Sequence, residues 1–308
     1  MTKYNTHMEI KEHIRSLLTG FTLETTPFSA DKISDFRKIL RPETSVYITF
    51  LPGTDYKDTI RTAKRLKKEC FNPIPHFAAR SIPNFEMLEN SLNRLCGEVG
   101  IEEVLCIAGA ISKPIGDFAN TMELLETDLF TKYGIKKIGV AGHPEGSPDI
   151  AEKDITYALD WKNRFQSTTD AQLYIVSQFC FDTDKIIQWD QKIRKTGNTL
   201  PIVIGVPGVA SLKTLIAYAN ACGVGQSINF LKNQARNITK LLQTSTPDEQ
   251  ILKLAEYRAT DPSCGIEGIH IYPLGGLSKS AQWAYEVMDG HFKLGENGKG
   301  FNLDVKLS

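Results

Sequence analysis

Eight short apolar runs, separated by helix-like stretches, constrain this chain more than any other feature. The runs are Phe21–Pro27, Val46–Pro52, Ile74–Ala79, Val104–Gly109, Ile138–Pro144, Leu173–Phe181, Ile202–Pro207 and Gly268–Leu274. Between them lie stretches with helical spacing, such as Asp55–Cys70, Asn84–Val99, Thr121–Tyr133 and Thr183–Thr196. Gly100, Gly134 and Gly197 stand where helices commonly stop. Strand, helix and strand at this spacing require parallel pairing through crossover helices. Eight such units predict a (β/α)8 TIM barrel, for which about 250 residues is typical. The 308 residues leave room for an N-terminal helix over residues 1–20, with Ile10, Ile14, Leu17 and Leu18 at helical spacing, and a tail over 291–308. The stretch 211–267 is too long for one helix, which predicts extra helices before strand eight. A doubly wound open sheet is the competing arrangement, but the first βα turn carries no GxGxxG. With no linker, low-complexity run or internal repeat, residues 1–308 read as one barrel domain.

Composition excludes several classes of function. Lys plus Arg and Asp plus Glu both count 36, so net charge recruits neither nucleic acid nor an anionic membrane. No apolar run approaches the roughly 18 residues of a spanning helix, and residues 1–20 lack the apolar core of a signal peptide. Six cysteines, at 70, 96, 106, 180, 222 and 264, form no CxxC pair and have no histidine at ligand spacing. That pattern predicts reduced thiols in a cytoplasmic protein, with no metal site. Cys106 and Cys180 fall inside strand-like runs and read as core residues.

In such barrels the site is built at the C-terminal ends of the strands and the loops that follow. Those ends carry Glu24, Thr49, His76, Ala108-Gly109-Ala110, His143, Gln178 and the loop after Tyr272, which would converge on one mouth. The run Gly139 to Asp149 shows the pattern most plainly, passing from apolar residues into His143-Pro144-Glu145-Gly146. Glu24 in the inward phase of a buried strand is costly unless paired or given work; facing outward, it would pair with a lysine of the helix ring. His76 could donate to a cofactor oxygen or be a satisfied core histidine. Gln178 suits recognition of a heterocycle edge, or bonds a neighbouring loop. Gly275-Gly276-Leu277-Ser278-Lys279-Ser280 could cradle a phosphate at a helix start, or form a plain turn with a capping serine. Of the strand-end residues only Glu24 is a carboxylate, which disfavours a paired-carboxylate glycosidase, and no Ser, His and Asp set appears at an elbow motif.

Six of these segments, in order over residues 20–290, resemble the methylenetetrahydrofolate reductase family. They are Leu23-Glu24-Thr25-Thr26-Pro27, Pro75-His76-Phe77, Ile107-Ala108-Gly109, Ala141 to Pro148, Ser177 to Asp182, and Gly268 to Leu274. The resemblance implies a barrel that binds FAD and a tetrahydrofolate-type substrate, with NADH or NADPH as candidate electron donors. It gives Glu24 the role of the acid that protonates a folate nitrogen as the methylene bridge opens. That task needs a carboxyl able to hold a proton near neutral pH, which desolvation in an apolar mouth would supply. It gives Gln178 the pterin contact, and it places Thr49, His76, Ala141 and His143 along the flavin, His143 where a tyrosine is common. Asp154 and Lys162 are the candidates for the flavin ribose and phosphates, with Arg164 competing for the second role.

The departures from the family pattern are as informative. The family's Arg-Gly-Asp after strand four is Ala108-Gly109-Ala110 here, which removes a carboxylate beside flavin and pterin. Its Asn-Arg after strand eight is Gly275-Gly276, leaving Lys279 to meet the folate tail, and Leu212 stands where an aromatic is frequent. The expected activity is therefore a flavin-dependent interconversion of 5,10-methylenetetrahydrofolate and 5-methyltetrahydrofolate. A non-redox folate-binding barrel and a non-catalytic subunit are the alternatives, and homo-oligomerisation is left open.

Overall fold

The structure, a computed structural model, describes residues 3–221, 242–296 and 298–307. The eight expected strands form. They are β1 Thr22–Thr25, β2 Ser45–Ile48, β3 Asn72–Ala78, β4 Glu103–Ile107, β5 Lys137–Gly142, β6 Gln172–Ser177, β7 Ile202–Pro207 and β8 Ile266–Tyr272. They close into a parallel barrel in the order β1-β8-β7-β6-β5-β4-β3-β2, so each strand lies beside its sequence neighbours. Strand β8 begins two residues earlier than its apolar run suggests, because a bulge between Ile266 and Gly268 takes Glu267 into the strand.

The helices that support the barrel are α1 Lys3–Leu18, α2 Tyr56–Lys68, α3 Phe85–Arg94, α4 Glu152–Phe165, α5 Thr183–Lys195, α6 Leu212–Ala221, α7 Asp248–Thr260 and α8 Leu277–Met288. Among the described residues, α6 and α7 give the stretch before strand eight more than one helix, as expected, and residues 222–241 of that stretch lie outside the described residues. Cys222, read above as a reduced thiol, lies outside the described residues. Among the described residues no helix is long and apolar enough to cross a membrane.

Local chemistry accounts for the helix boundaries. Asp55, Asn84 and Asp182 each accept a backbone N–H at the start of α2, α3 and α5. Gly100, Gly134 and Gly197 have φ of 74°, 73° and 99°, the left-handed turn that an L side chain resists. The expected helix Thr121–Tyr133 is two short ones, Thr121–Leu125 and Leu129–Lys132, broken where Asp128 takes a φ of 58°.

By internal contacts the chain divides into two compact units. The first comprises Met1–Leu23, His143–Ala151 and Ser177–Ser308. Here α1 buries Ile14, Leu17 and Leu18, and Arg15 Nε donates to the Met288 carbonyl at 2.8 Å. A C-terminal hairpin of Phe292–Leu294 and Phe301–Leu303 packs Phe301 on Trp283. At the opposite end of α5 from its capping Asp182, fully buried Asp190 accepts the Tyr257 hydroxyl at 2.7 Å and lies 3.5 Å from Arg194 Nε.

The second unit comprises Glu24–Gly142 and Glu152–Val176. Its centre is the Tyr47–Tyr174 hydroxyl pair, 2.7 Å apart and buried. Tyr47 belongs to β2 and Tyr174 to β6, which are not neighbours, so their bond crosses the barrel interior and both side chains point inward. Gly139 leaves room for them, since a Cβ there would lie 3.0 Å from the Tyr174 hydroxyl and 2.9 Å from Leu105 Cδ1. Burial raises both phenols above their ordinary range.

Candidate functional site

The inward phase set by Tyr47, Leu105 and Gly139 decides which strand-end residues of the second unit face the barrel axis. Side chains alternate along a strand, so Thr49, Ile107 and Ala141 share the inward face. Glu24 joins them: Thr49 Oγ1 donates to Glu24 Oε2 at 3.1 Å, and the Thr49 backbone N–H bonds the Thr25 carbonyl at 2.9 Å. Glu24 is half-buried between the nearly inaccessible Leu23 and Thr25. The Thr49 contact turns the Glu24 side chain inward rather than toward the helix ring. His76 is buried, its ring edge-on to Tyr47 with centroids 5.7 Å apart.

The loop after β4 lies close to that after β3. Gly109, at φ 94°, would bring a Cβ to 3.2 Å from Ala78 Cβ, and Gly116 would bring one to 1.8 Å from the Pro83 carbonyl oxygen. Arg80 holds the loop: its backbone N–H bonds the Ala108 carbonyl at 2.9 Å, Nε bonds the Ala119 carbonyl at 3.0 Å and Nη1 bonds the Ile111 carbonyl at 3.2 Å. Ala108 and Gly109 are half-buried and Ala110 is exposed. As the sequence departure implied, this stretch offers only small side chains and backbone.

Asp154 and Lys162 are not brought together. Asp154 is exposed on the first turn of α4, while Lys162, in its last turn, is 6% exposed. Eight residues at about 100° each also leave the two roughly 80° apart around the helix. Lys162 interacts with Cys106, which points out of the barrel because Leu105 points in. Burial lowers the Lys162 amine to about 8, against a smaller opposing effect of Cys106, and burial raises the Cys106 thiol. Arg164, the competing residue, is exposed and paired with Asp160 at 3.1 Å.

The first unit carries the remaining candidates. His143 is half-buried, and its carbonyl closes a tight turn with the Gly146 N–H at 3.1 Å. Gln178, just past β6, is half-buried, with Oε1 accepting the Phe179 N–H at 3.0 Å. Lys279 is exposed on the first turn of α8. No side chain caps that helix: Gly276 occupies the cap at φ 122°, and Ser280 Oγ turns back to the Gly276 carbonyl at 3.0 Å. Among the described residues no cluster of His, Cys, Asp and Glu could hold a metal ion.

The sequence profile described as methylenetetrahydrofolate reductase matches residues 30–274. The chain belongs to that family. It is 26% identical over 254 residues to methylenetetrahydrofolate reductase (NADH) 1 of Arabidopsis thaliana, covering 76% of this chain and 41% of that protein. It is 31% identical over 113 residues to methylenetetrahydrofolate reductase 2 of Saccharomyces cerevisiae, covering 36% of this chain and 18% of that one. The chain thus spans less than half the length of these curated relatives. Among solved structures, an uncharacterised protein from Clostridium thermocellum that binds two copies of 5-methyl-5,6,7,8-tetrahydrofolic acid shares the fold. Its TM-score is 0.51 at 12% identity, over 89% of this chain and 98% of that one.

Within a methylenetetrahydrofolate reductase family barrel, three features went unread in the sequence. Tyr47 and Tyr174 sit in phase with inward residues, a signal that period two would have given, but their pairing across the barrel has no sequence signature. Arg80, just past β3, is an arginine whose Nε and Nη1 both donate to backbone carbonyls. Tyr272 lies in the inward phase of β8 with His270 and donates to the Ser177 carbonyl at 3.0 Å.

Proposed function

We propose that this chain is a flavin-dependent oxidoreductase that interconverts 5,10-methylenetetrahydrofolate and 5-methyltetrahydrofolate. The observation that carries the reading is the inward Glu24 carboxyl at the end of β1, held by the Thr49 hydroxyl at 3.1 Å in a barrel of this family. FAD would be held by Thr49, His76, the backbone and small side chains of Ala108, Gly109 and Ala110, Ala141 and His143. This donor set fits a flat heterocycle: a hydroxyl and imidazoles for its polar edge, and small residues elsewhere. Asp154 is the candidate for the ribose. Lys162, buried beside Cys106, would need the end of α4 to move before it could reach a phosphate.

The flavin supplies hydride chemistry, and the protein supplies position and protons. Glu24 would deliver a proton to the folate nitrogen that leaves the methylene bridge, with Thr49 fixing the carboxyl rotamer. Gln178 would orient the pterin, and Lys279, exposed and cationic, would meet the carboxylates of the folate tail. NADH and NADPH remain the candidate donors.

Ala110 favours one competing reading, a folate-binding barrel that transfers a one-carbon unit without redox chemistry. One measurement separates the two: the visible spectrum of the purified protein, followed by anaerobic addition of methyltetrahydrofolate. A flavin spectrum that bleaches supports the reductase. A colourless protein that takes up no added FAD yet binds tetrahydrofolate tightly would replace it with the transferase reading.

A further inference from the structure

Gln178 is set before any ligand arrives. A backbone N–H can only donate, so the 3.0 Å bond from the Phe179 N–H fixes Oε1 as its acceptor and leaves the Nε2 group as the recognition end of the amide. The backbone around it is held as firmly. Ser177 Oγ donates to the Gln178 carbonyl at 3.0 Å and accepts the Gly205 N–H at 2.8 Å.

The remaining restraint comes from two strands away. Tyr272 ends β8, yet its hydroxyl donates to the carbonyl of Ser177, the last residue of β6, at 3.0 Å. Its ring must therefore pass β7, and it does so at Gly205. A Cβ at Gly205 would lie 2.6 Å from Tyr272 Cε2 and 2.4 Å from the Ser177 carbonyl oxygen, so no larger residue fits there unchanged. Edge contacts with Phe179 at 5.3 Å and His270 at 4.7 Å hold the Tyr272 ring, and His270 Nδ1 shares a 2.7 Å hydrogen bond with Thr22 Oγ1.

We infer that Tyr272 is a positioning residue for Gln178: its hydroxyl, passed over the gap at Gly205, holds the end of β6 so that the Gln178 amide offers donors to the ligand. The ligand edge selected in this way carries hydrogen-bond acceptors, such as a pterin carbonyl oxygen or ring nitrogen. That last step rests on the folate reading above; the positioning of the amide does not.

The test has one arm for each part. In the first, amide hydrogen exchange is compared between the wild type and Tyr272→Phe, which keeps the ring and removes one donor. Exchange at Phe179 should quicken by about fivefold or more, the loss of one ordinary hydrogen bond, while amides of β3 hold their rates. Unchanged exchange at Phe179, or a uniform rise across the protein, overturns the inference. In the second arm, methyltetrahydrofolate affinity is measured for the wild type, Tyr272→Phe, Gln178→Ala and the double variant. Tyr272→Phe should weaken binding by about fivefold, and the double variant should bind no more weakly than Gln178→Ala. Additive losses overturn the inference. A wild type that does not bind methyltetrahydrofolate counts against the folate reading alone, and the exchange arm still decides the role of Tyr272.

Discussion

A single buried lysine makes the stability of this chain depend on pH. Lys162 is 6% exposed, and burial lowers its amine to about 8 from 10.5. Between those values the unfolded chain binds more protons than the folded one, so stability rises with pH through that window. Below pH 8 the folded protein carries the whole cost of a buried ammonium, about 3 kcal/mol. Lys162→Met should therefore raise stability at pH 7 by up to about 3 kcal/mol and flatten the rise above pH 8, as read by urea unfolding at several pH values. A variant no more stable than the wild type at pH 7 would show that the amine reaches water or a partner. Glu24→Gln belongs to the same scale and has a different readout. The amide oxygen can still accept from Thr49 but the side chain has no proton to deliver, so turnover should fall by about a hundredfold or more with flavin uptake unchanged. The inward place of Glu24 was legible in the sequence because a carboxylate in a buried strand is costly unless it is paired. Lys162 was legible only as a cation, since its burial depends on how α4 seats against β4.

The elements are held by devices that sequence periodicity registers only in part. Asp190 on α5 accepts from Tyr257 on α7, and both its oxygens lie 3.3 Å from the Gly265 N–H at the approach to β8. Arg194, one turn along α5, donates to the carbonyls of Asn198 at 3.0 Å and Leu200 at 2.9 Å. A Cβ at Gly265 would meet that guanidinium at 1.5 Å, so a larger residue there would push Arg194 off these carbonyls. Asp190→Ala would leave a largely buried guanidinium without its carboxylate and should cost about 3–5 kcal/mol in urea unfolding. A loss below about 1 kcal/mol would mean that water replaces the carboxylate, as at exposed pairs. The strands themselves were readable, with β7 matching its apolar run at both ends, because apolar runs bounded by glycine and proline leave little choice of register. The break at Asp128 was not, because the residues on either side keep helical spacing and only the backbone angle departs from it.

For the whole molecule, the eightfold rhythm was enough to predict the closed parallel barrel, since parallel strands joined by helices must bury both faces. What the rhythm could not supply is how the interior is filled. Tyr47, Tyr56, Tyr174 and Tyr257 all have phenols raised by burial, four of the ten tyrosines in the chain. Because the unfolded phenols ionise first, these groups add stability below pH 10 that is lost as pH climbs beyond it. An alkaline titration followed at the tyrosinate absorbance should leave these four silent until the protein unfolds, and ionisation of all ten before unfolding would contradict the buried pair. The Tyr47–Tyr174 bond over Gly139 also limits how this protein can drift. A methyl added at position 139 meets the tail of Tyr174, and a shorter residue at 174 removes the hydroxyl that bonds Tyr47 at 2.7 Å, so each single step is penalised. Gly139→Ala, Tyr174→Leu and Tyr47→Phe should be tolerated better as a set than their separate effects imply. Descendants of this chain would then inherit the three positions as one character, changed together or kept.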